Sequence, residues 1–152
     1  MKKALFAFLT LFAIMGKANE NPFFEDFNTI HGTVPFSKIK NHHYEEAIDR
    51  GMKLQNSEIE AIVNQRSRPT FENTIVAYER TGKDLSRVLN VFFPMLNSSS
   101  DDELMEISLR VSSKLSQHST GISLNEKLWE RVKQVYEMRD KLNLDAEDSM
   151  LL

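Results

Sequence analysis

The chain has 152 residues, a formal net charge of −3 at pH 7 and no cysteine. Its weak acidity argues against a surface for nucleic acid or an anionic membrane, and the lack of cysteine excludes a disulfide framework. Stability must therefore come from apolar packing, and this length supports one modest core.

A short apolar segment stands at the start of the sequence. Two lysines precede the apolar residues 4–15, and small residues follow at the positions that a signal peptidase reads. This pattern predicts a secretory signal peptide over residues 1–18, cleavage between Ala18 and Asn19, and export to a bacterial periplasm. The run is too short to anchor the mature protein in a membrane. The alternative interpretation is a buried N-terminal helix.

Residues 19–40 contain proline, glycine and scattered aromatics without a helical period, which predicts an extended segment. Residues 41–152 carry helical periods and form the predicted helical domain. Its first helix is predicted to start with Asn41 as its cap and to run to about Asn64. The inward positions are Ala47, Ile48, Met52, Ile59, Ile62 and Val63.

The second predicted helix has the clearest period, because apolar residues recur at alternating steps of four and three from residue 71 to residue 96. Gly82 falls on this seam. A helix that ended at Gly82 would normally restart out of phase, so we predict one helix from about Phe71 to Phe93 in which Gly82 lets a neighbouring backbone come close. Pro94 should end or kink it.

Two further helices are predicted from capping boxes at residues 100–103 and 123–126. The apolar spacing that follows gives the inward positions Leu104, Ile107, Val111 and Leu115, and then Leu128, Val132, Val135 and Leu142. An acidic turn at residues 145–148 predicts the start of another helix, so we expect the sequence to stop inside it. The predicted fold is all-α, an antiparallel array of about four helices.

The histidines do not form a convincing metal site. His42 and His43 point about 100° apart on a helix, and His42 with Glu46 supplies two ligands where zinc takes three or four. We expect one of these rings to pack or cap near the helix start and the other to be solvated. His118 near a helix end complements the helix dipole. No catalytic and no metal-binding residue is assigned.

Other polar and aromatic pairs have plain interpretations. Glu45 and Glu46 are adjacent on a helix and point in different directions, so they are not placed to act together as a general acid and a general base. Trp129 and Tyr136, seven residues apart, lie on one helix face. We interpret them as core or as a docking surface for the rest of a larger protein, with ligand binding as the alternative.

The most specific motif lies at residues 68–75. Thr70 is a good helix cap, Pro69 disfavours helix in the residue before it, and Glu72 places a carboxylate at the positive end of the dipole. Many other sequences would cap a helix equally well. This one resembles a motif of the oligopeptidase A and peptidyl-dipeptidase Dcp family of zinc metallopeptidases, and it is carried by Pro69, Thr70, Phe71, Glu72, Asn73 and Thr74.

Neighbouring segments follow in the same order as in that family, at residues 21–24, 35–44, 58–63, 91–93 and 122–128. The resemblance covers nearly everything after residue 20 and is closest to the Dcp branch. It implies the N-terminal helical wall of a deep channel that admits short peptides to zinc. It also implies that the parent enzyme releases dipeptides from peptide C-termini.

The family's zinc site resembles the pattern H-E-x-x-H, which this sequence does not contain. The resemblance therefore implies a fragment that is not catalytic by itself, holds no cofactor and has the missing C-terminal catalytic part of the same polypeptide as its partner. Whether the chain counts as an enzyme stays open. The alternative is a free-standing periplasmic helical protein that binds or scaffolds without chemistry.

Overall fold

The computed structural model describes residues 21–99 and 101–152. The predicted signal segment 1–18 and its cleavage site between Ala18 and Asn19 lie outside them and stay predictions. The chain divides into two compact units, Met1–Ile39 and Lys40–Leu152. No β-strand occurs in the described residues, and the predicted all-α class is confirmed.

The first unit, where described, contains three short 3₁₀ helices, Pro22–Phe24, Ile30–Gly32 and Phe36–Lys38. The backbone is extended between them, as at Glu25 and Thr33. The Asn21 side chain accepts a hydrogen bond of 3.1 Å from the Phe23 N–H. The rings of Phe23 and Phe27 meet edge to face with centroids 5.9 Å apart.

The second unit is helical, and its elements are α1 (Asn41–Val63), a π-helix (Phe71–Val76), α2 (Ala77–Glu79), α3 (Lys83–Ser99), α4 (Asp102–Ser123), α5 (Glu126–Tyr136), a 3₁₀ turn (Arg139–Lys141) and α6 (Ala146–Leu151). The central helix is α1, which contacts α2, α3, α4 and α5. α6 confirms the helix start that the acidic turn predicts. Of the helices described, none has both the length and the apolarity needed to cross a membrane.

Side-chain pairs show how the helices run. Tyr44, near the start of α1, packs on Phe92 of α3 with ring centroids 5.2 Å apart. At the other end of α1, the Glu58 carboxylate accepts a hydrogen bond of 2.8 Å from the Gly82 N–H, just before α3 begins. α1 and α3 are therefore antiparallel, as predicted.

Most of the predicted inward residues form the core. Those that are buried are Ala47, Ile48, Ile59, Ile62, Leu104, Ile107, Val111, Leu128 and Val135. Those that are half-buried are Met52, Val63, Leu115, Val132 and Leu142. The apolar periods of α1, α4 and α5 therefore identify the core faces correctly.

The predicted continuous helix from Phe71 to Phe93 is wrong. The chain turns between Glu79 and Lys83, and Gly82 has a φ of +71°, the left-handed conformation in which helices commonly end. Gly82 is thus a break between two helices and not a point on the seam of one. An ideal Cβ there would meet the Gln55 side chain at 2.5 Å, so the close neighbour is a side chain and not a backbone.

Four helix boundaries also differ from prediction, and Pro94 lies inside α3, which continues to Ser99. α1 begins at Asn41, preceded by Lys40 at the cap position. Asp101 caps α4, because its side chain accepts a hydrogen bond of 2.7 Å from the Leu104 N–H. Asn125 caps α5 in the same way, with a hydrogen bond of 3.0 Å from the Leu128 N–H. Asp and Asn are as effective as Ser at the N-cap position. A capping-box pattern in the sequence therefore does not show which of several nearby polar residues is the N-cap. α5 also ends at Tyr136, before the predicted Leu142.

Candidate functional site

The motif at residues 69–74 starts the π-helix with a reciprocal cap. The Thr70 hydroxyl accepts a hydrogen bond of 3.1 Å from the Asn73 N–H, which confirms the prediction that Thr70 caps this helix. The Asn73 Oδ1 in turn accepts a hydrogen bond of 2.9 Å from the Thr70 N–H. Both bonds satisfy backbone donors that a helix start leaves without a partner.

Phe71–Val76 is a π-helix, which the sequence period did not predict. Its wider turn is closed by the Ala77 N–H, which bonds the Glu72 carbonyl five residues back. π-helical turns are rare and occur frequently at functional sites. The family motif therefore coincides with an unusual backbone and not with an ordinary helix start.

Arg131 of α5 is the main partner of this segment. Its Nη2 donates to the Asn73 Oδ1 at 3.2 Å and to the Thr74 hydroxyl at 3.4 Å. Its Nη1 donates to the carbonyls of Gln65 at 3.3 Å and Ser67 at 3.4 Å. One guanidinium therefore joins the turn after α1, the π-helix and α5. We call these five residues the Arg131 clasp.

The centre of the clasp is buried, since Arg131 is 7% exposed and Thr74 is 0% exposed, whereas Ser67 at its edge is exposed. Among the described residues no carboxylate lies within 4.0 Å of the guanidinium, and its Nε is buried without a hydrogen-bond partner. The planar fork of donors on Arg suits several fixed acceptors at once. Arg131 sits three residues after Leu128 and four before Val135, and this inward position was the signal that the sequence analysis missed.

The clasp explains why residue 73 is Asn. Its Nδ2 donates to the Arg68 carbonyl at 3.0 Å, while its Oδ1 accepts from the Thr70 N–H, the Thr74 hydroxyl and Arg131. The Asn amide supplies two N–H donors and a carbonyl acceptor on one short side chain, whereas a carboxylate has no donor and a hydroxyl has one. The motif therefore has a structural requirement well beyond capping, and the polar groups of Asn73 and Thr74 are occupied within the protein, in part by Arg131.

A polar seam joins α1 to α4. Lys114 donates hydrogen bonds of 2.9 Å to Asp49 and of 3.1 Å to Glu45. Arg110 donates a hydrogen bond of 3.0 Å to Glu45. Asn41 binds Asp101 and Glu103 at one end of the seam, so residue numbers rise together on the two helices and α1 and α4 are parallel. The hydrogen bond from Arg110, reinforced by Lys114, holds the pKa of Glu45 below its ordinary value despite its partial burial.

The two adjacent histidines behave as expected. His42 is exposed, whereas His43 is buried and its Nδ1 accepts 3.0 Å from the Lys40 N–H at the start of α1. His118 on α4 is half-buried and its Nε2 lies 2.8 Å from Gln55 Oε1. Within the described residues no three His, Asp or Glu side chains are placed to hold a metal ion.

A cavity of about 310 Å³ opens beside His118, between α1 and the end of α4. Two isoleucines and several amides line it, including Ile59, Ile122, Gln117 and Asn125. Its titratable lining residues are Glu60 and His118, and the Nε2 of His118 is already engaged with Gln55. Nothing else in its lining indicates a reaction.

The two aromatic residues of α5 that were interpreted as core or docking surface are both exposed, whereas Phe92 of α3 is 0% exposed and belongs to the core. Trp129 is 61% exposed and Tyr136 is 48% exposed, so neither is a core residue. The Arg139 guanidinium carbon lies 4.3 Å from the centre of the Tyr136 ring.

No protein-family model matches the chain. Two curated proteins do: it is 38% identical over 132 residues to dipeptidyl carboxypeptidase of Escherichia coli (strain K12), and 39% identical over 132 residues to dipeptidyl carboxypeptidase of Salmonella typhimurium. Each alignment covers 87% of this chain and 19% of the relative, so the chain spans about a fifth of the length of the curated relatives it matches. The resemblance stated from the motifs is confirmed: this chain is a Dcp-like sequence that corresponds to one part of such a protein.

Proposed function

We propose that this chain is a helical, non-catalytic part of a Dcp-like zinc metallopeptidase that hydrolyses short peptides and releases C-terminal dipeptides. The observation that carries the proposal is the 38% identity to the Escherichia coli dipeptidyl carboxypeptidase over 132 residues. The chain's own role is to supply a shaped helical wall. The catalytic remainder of the polypeptide supplies zinc and the reacting groups.

The chemistry of the clasp supports a structural role. Arginine does not exchange protons with substrates at ordinary pH, and the hydrogen bonds of Arg131 go to two carbonyls of the turn after α1 and to an amide and a hydroxyl of the π-helix. Such a group cannot serve as an acid or a base. It holds the π-helix and the end of α1 against α5, which sets the shape of this part of the wall.

The described residues do not fit a zinc site. His43 uses its Nδ1 on the Lys40 N–H, His118 uses its Nε2 on Gln55, and no third ligand joins either ring. A catalytic zinc needs three protein ligands and an open position. Neither histidine is therefore placed to hold such a zinc ion.

A segment exchange tests the proposal. In the chimera, the aligned residues of this chain replace the 132 matching residues of the Escherichia coli relative. We expect the chimera to keep dipeptidyl carboxypeptidase activity within about tenfold, a change of about 1.4 kcal/mol in the barrier. The isolated chain should show no chelator-sensitive cleavage of the same peptide. Activity of the isolated chain, or an inactive chimera, would contradict the proposal.

We also propose that the protein is exported to the periplasm. The two lysines, the apolar residues 4–15 and the small residues before Asn19 support this. After expression in a bacterium with a Sec pathway, N-terminal sequencing of the periplasmic fraction should begin at Asn19. An intact Met1 in a cytosolic product would refute export.

A further inference from the structure

An aromatic stripe runs along α5 and consists of Trp129, Val132 and Tyr136. These residues, spaced by three and four, lie on one face of the helix. Val132 is half-buried and packs against the cluster of Ile59, Ile62 and Leu128. The stripe therefore adjoins the buried face of α5 and extends from it to the solvent-exposed surface.

The stripe exposes two large aromatic rings to solvent. Trp129 leaves 61% of its surface exposed and Tyr136 leaves 48%. Glu126 and Lys133 border the stripe, and Lys127 and Gln134 occupy the far side of the helix. Trp, Tyr and Arg are the residues most enriched at the energetic centres of protein interfaces. Arg139, stacked on Tyr136, completes that composition.

We propose that the aromatic stripe is the docking surface for the part of a Dcp-like polypeptide that this chain does not match. This rests on the proposed function. The occupant follows from length and continuity. The matched segment is 19% of each relative, so about four fifths of such a protein has no counterpart here, and the stripe extends the core of this unit outward. Trp129 is the anchor because it has the largest exposed aromatic surface.

The test substitutes Trp129→Glu in the chimera described above and in the isolated chain. The matched control is Leu109→Glu on α4, an apolar residue that is 71% exposed and lies outside the stripe. In the chimera, Trp129→Glu should reduce the activity at least about tenfold, as loss of an interface anchor does, while Leu109→Glu should leave it unchanged. In the isolated chain, Trp129→Glu should leave the melting temperature within about 2 °C.

The other outcomes separate the two proposals. If the unsubstituted chimera is inactive, the proposed function fails and the docking surface fails with it. If the chimera is active and Trp129→Glu has no effect, the docking surface alone is wrong. If Trp129→Glu destabilises the isolated chain, Trp129 serves this unit and not a partner. If the isolated chain sediments as a dimer that Trp129→Glu makes monomeric, the occupant is a second copy and the proposal is overturned.

Discussion

Gly51 of α1 lies directly against Leu85 of α3, so that an ideal Cβ on Gly51 would be 2.8 Å from the Leu85 Cα. A contact this short with a backbone atom cannot be relieved by turning a side chain. Gly51 is therefore the residue that lets α1 and α3 approach closely. The apolar period had predicted this role for Gly82.

Replacing Gly51 with Ala should lower the free energy of unfolding by about 1–3 kcal/mol, because the extra methyl overpacks the crossing of α1 and α3. Urea denaturation measures this change. Gly121→Ala is the matched control, since a Cβ there has no atom within 4 Å. That control should be neutral or stabilise by up to about 1 kcal/mol. Equal effects of the two substitutions would show that the crossing is not tight.

Replacing Gly82 with Ala should destabilise by about 1–2 kcal/mol, because an L-residue is strained at a φ of +71°. The Gln55 side chain can move aside, so the backbone conformation is the main cost. Gly82→Asn should cost less, because Asn tolerates the left-handed region better than Ala. Thermal unfolding of both variants tests this order. If Ala were better tolerated than Asn, a continuous helix through residue 82 would again be the preferred description.

Replacing Arg131 with Ala should lower the free energy of unfolding by at least about 1–3 kcal/mol, because Thr74 and its neighbours lose a buried partner. Arg131→Lys should recover only part of the loss, since an ammonium cannot bind the acceptors of both branches in the same geometry. The control is Arg139→Ala at an exposed position, which should stay within about 0.5 kcal/mol. Urea denaturation compares the three variants. Full stability in the Lys variant would show that charge alone matters.

Acid should destabilise the protein through His43. Burial, followed by the charge of His42, lowers the pKa of His43 from 6.5, with Glu46 opposing and Lys40 adding to the effect. The unfolded chain thus takes up this proton at a higher pH than the folded chain. The stabilisation is complete above about pH 6.5 and is lost as the pH falls through the folded-state pKa. Denaturation midpoints at pH 7.5 and pH 5.5 should reveal this loss.

The control for acid sensitivity is His43→Asn. An Asn at this position can accept the Lys40 N–H just as Asn73 accepts the Thr70 N–H, but it does not titrate. We expect a smaller pH dependence in this variant. The remaining pH dependence comes from His118, because burial also lowers the pKa of this residue. An unchanged pH dependence would exclude His43 as the main titrating group.

The sequence predicted the faces of α1, α4 and α5 because their apolar residues keep a helical period over several turns. It failed at Gly82 for a physical reason. Phe71 to Tyr78 and Leu85 to Phe92 each fit a helix, and steps of three and four residues do not reveal a π-helix or a turn between them. Helix breaks are set by backbone conformation, and residue spacing alone did not reveal this one.

The candidate site was predicted less well than the fold. The motif residues were identified, but the Arg131 clasp was missed because arginine is rarely buried and a charged residue is ordinarily assigned to the solvent face. Its acceptors come from the turn after α1 and from the π-helix, which only the folded chain brings next to α5. For Trp129 the sequence left core and docking surface open, because a large aromatic residue at helical spacing fits either, and its exposure excludes the core.

The exposure of Trp129 has an optical consequence. It is the one tryptophan in the sequence, and most of its surface already meets water in the folded chain. Its fluorescence should therefore change little when the isolated protein unfolds, although the helices melt. A shift of its emission to shorter wavelength would instead signal that another surface has covered α5.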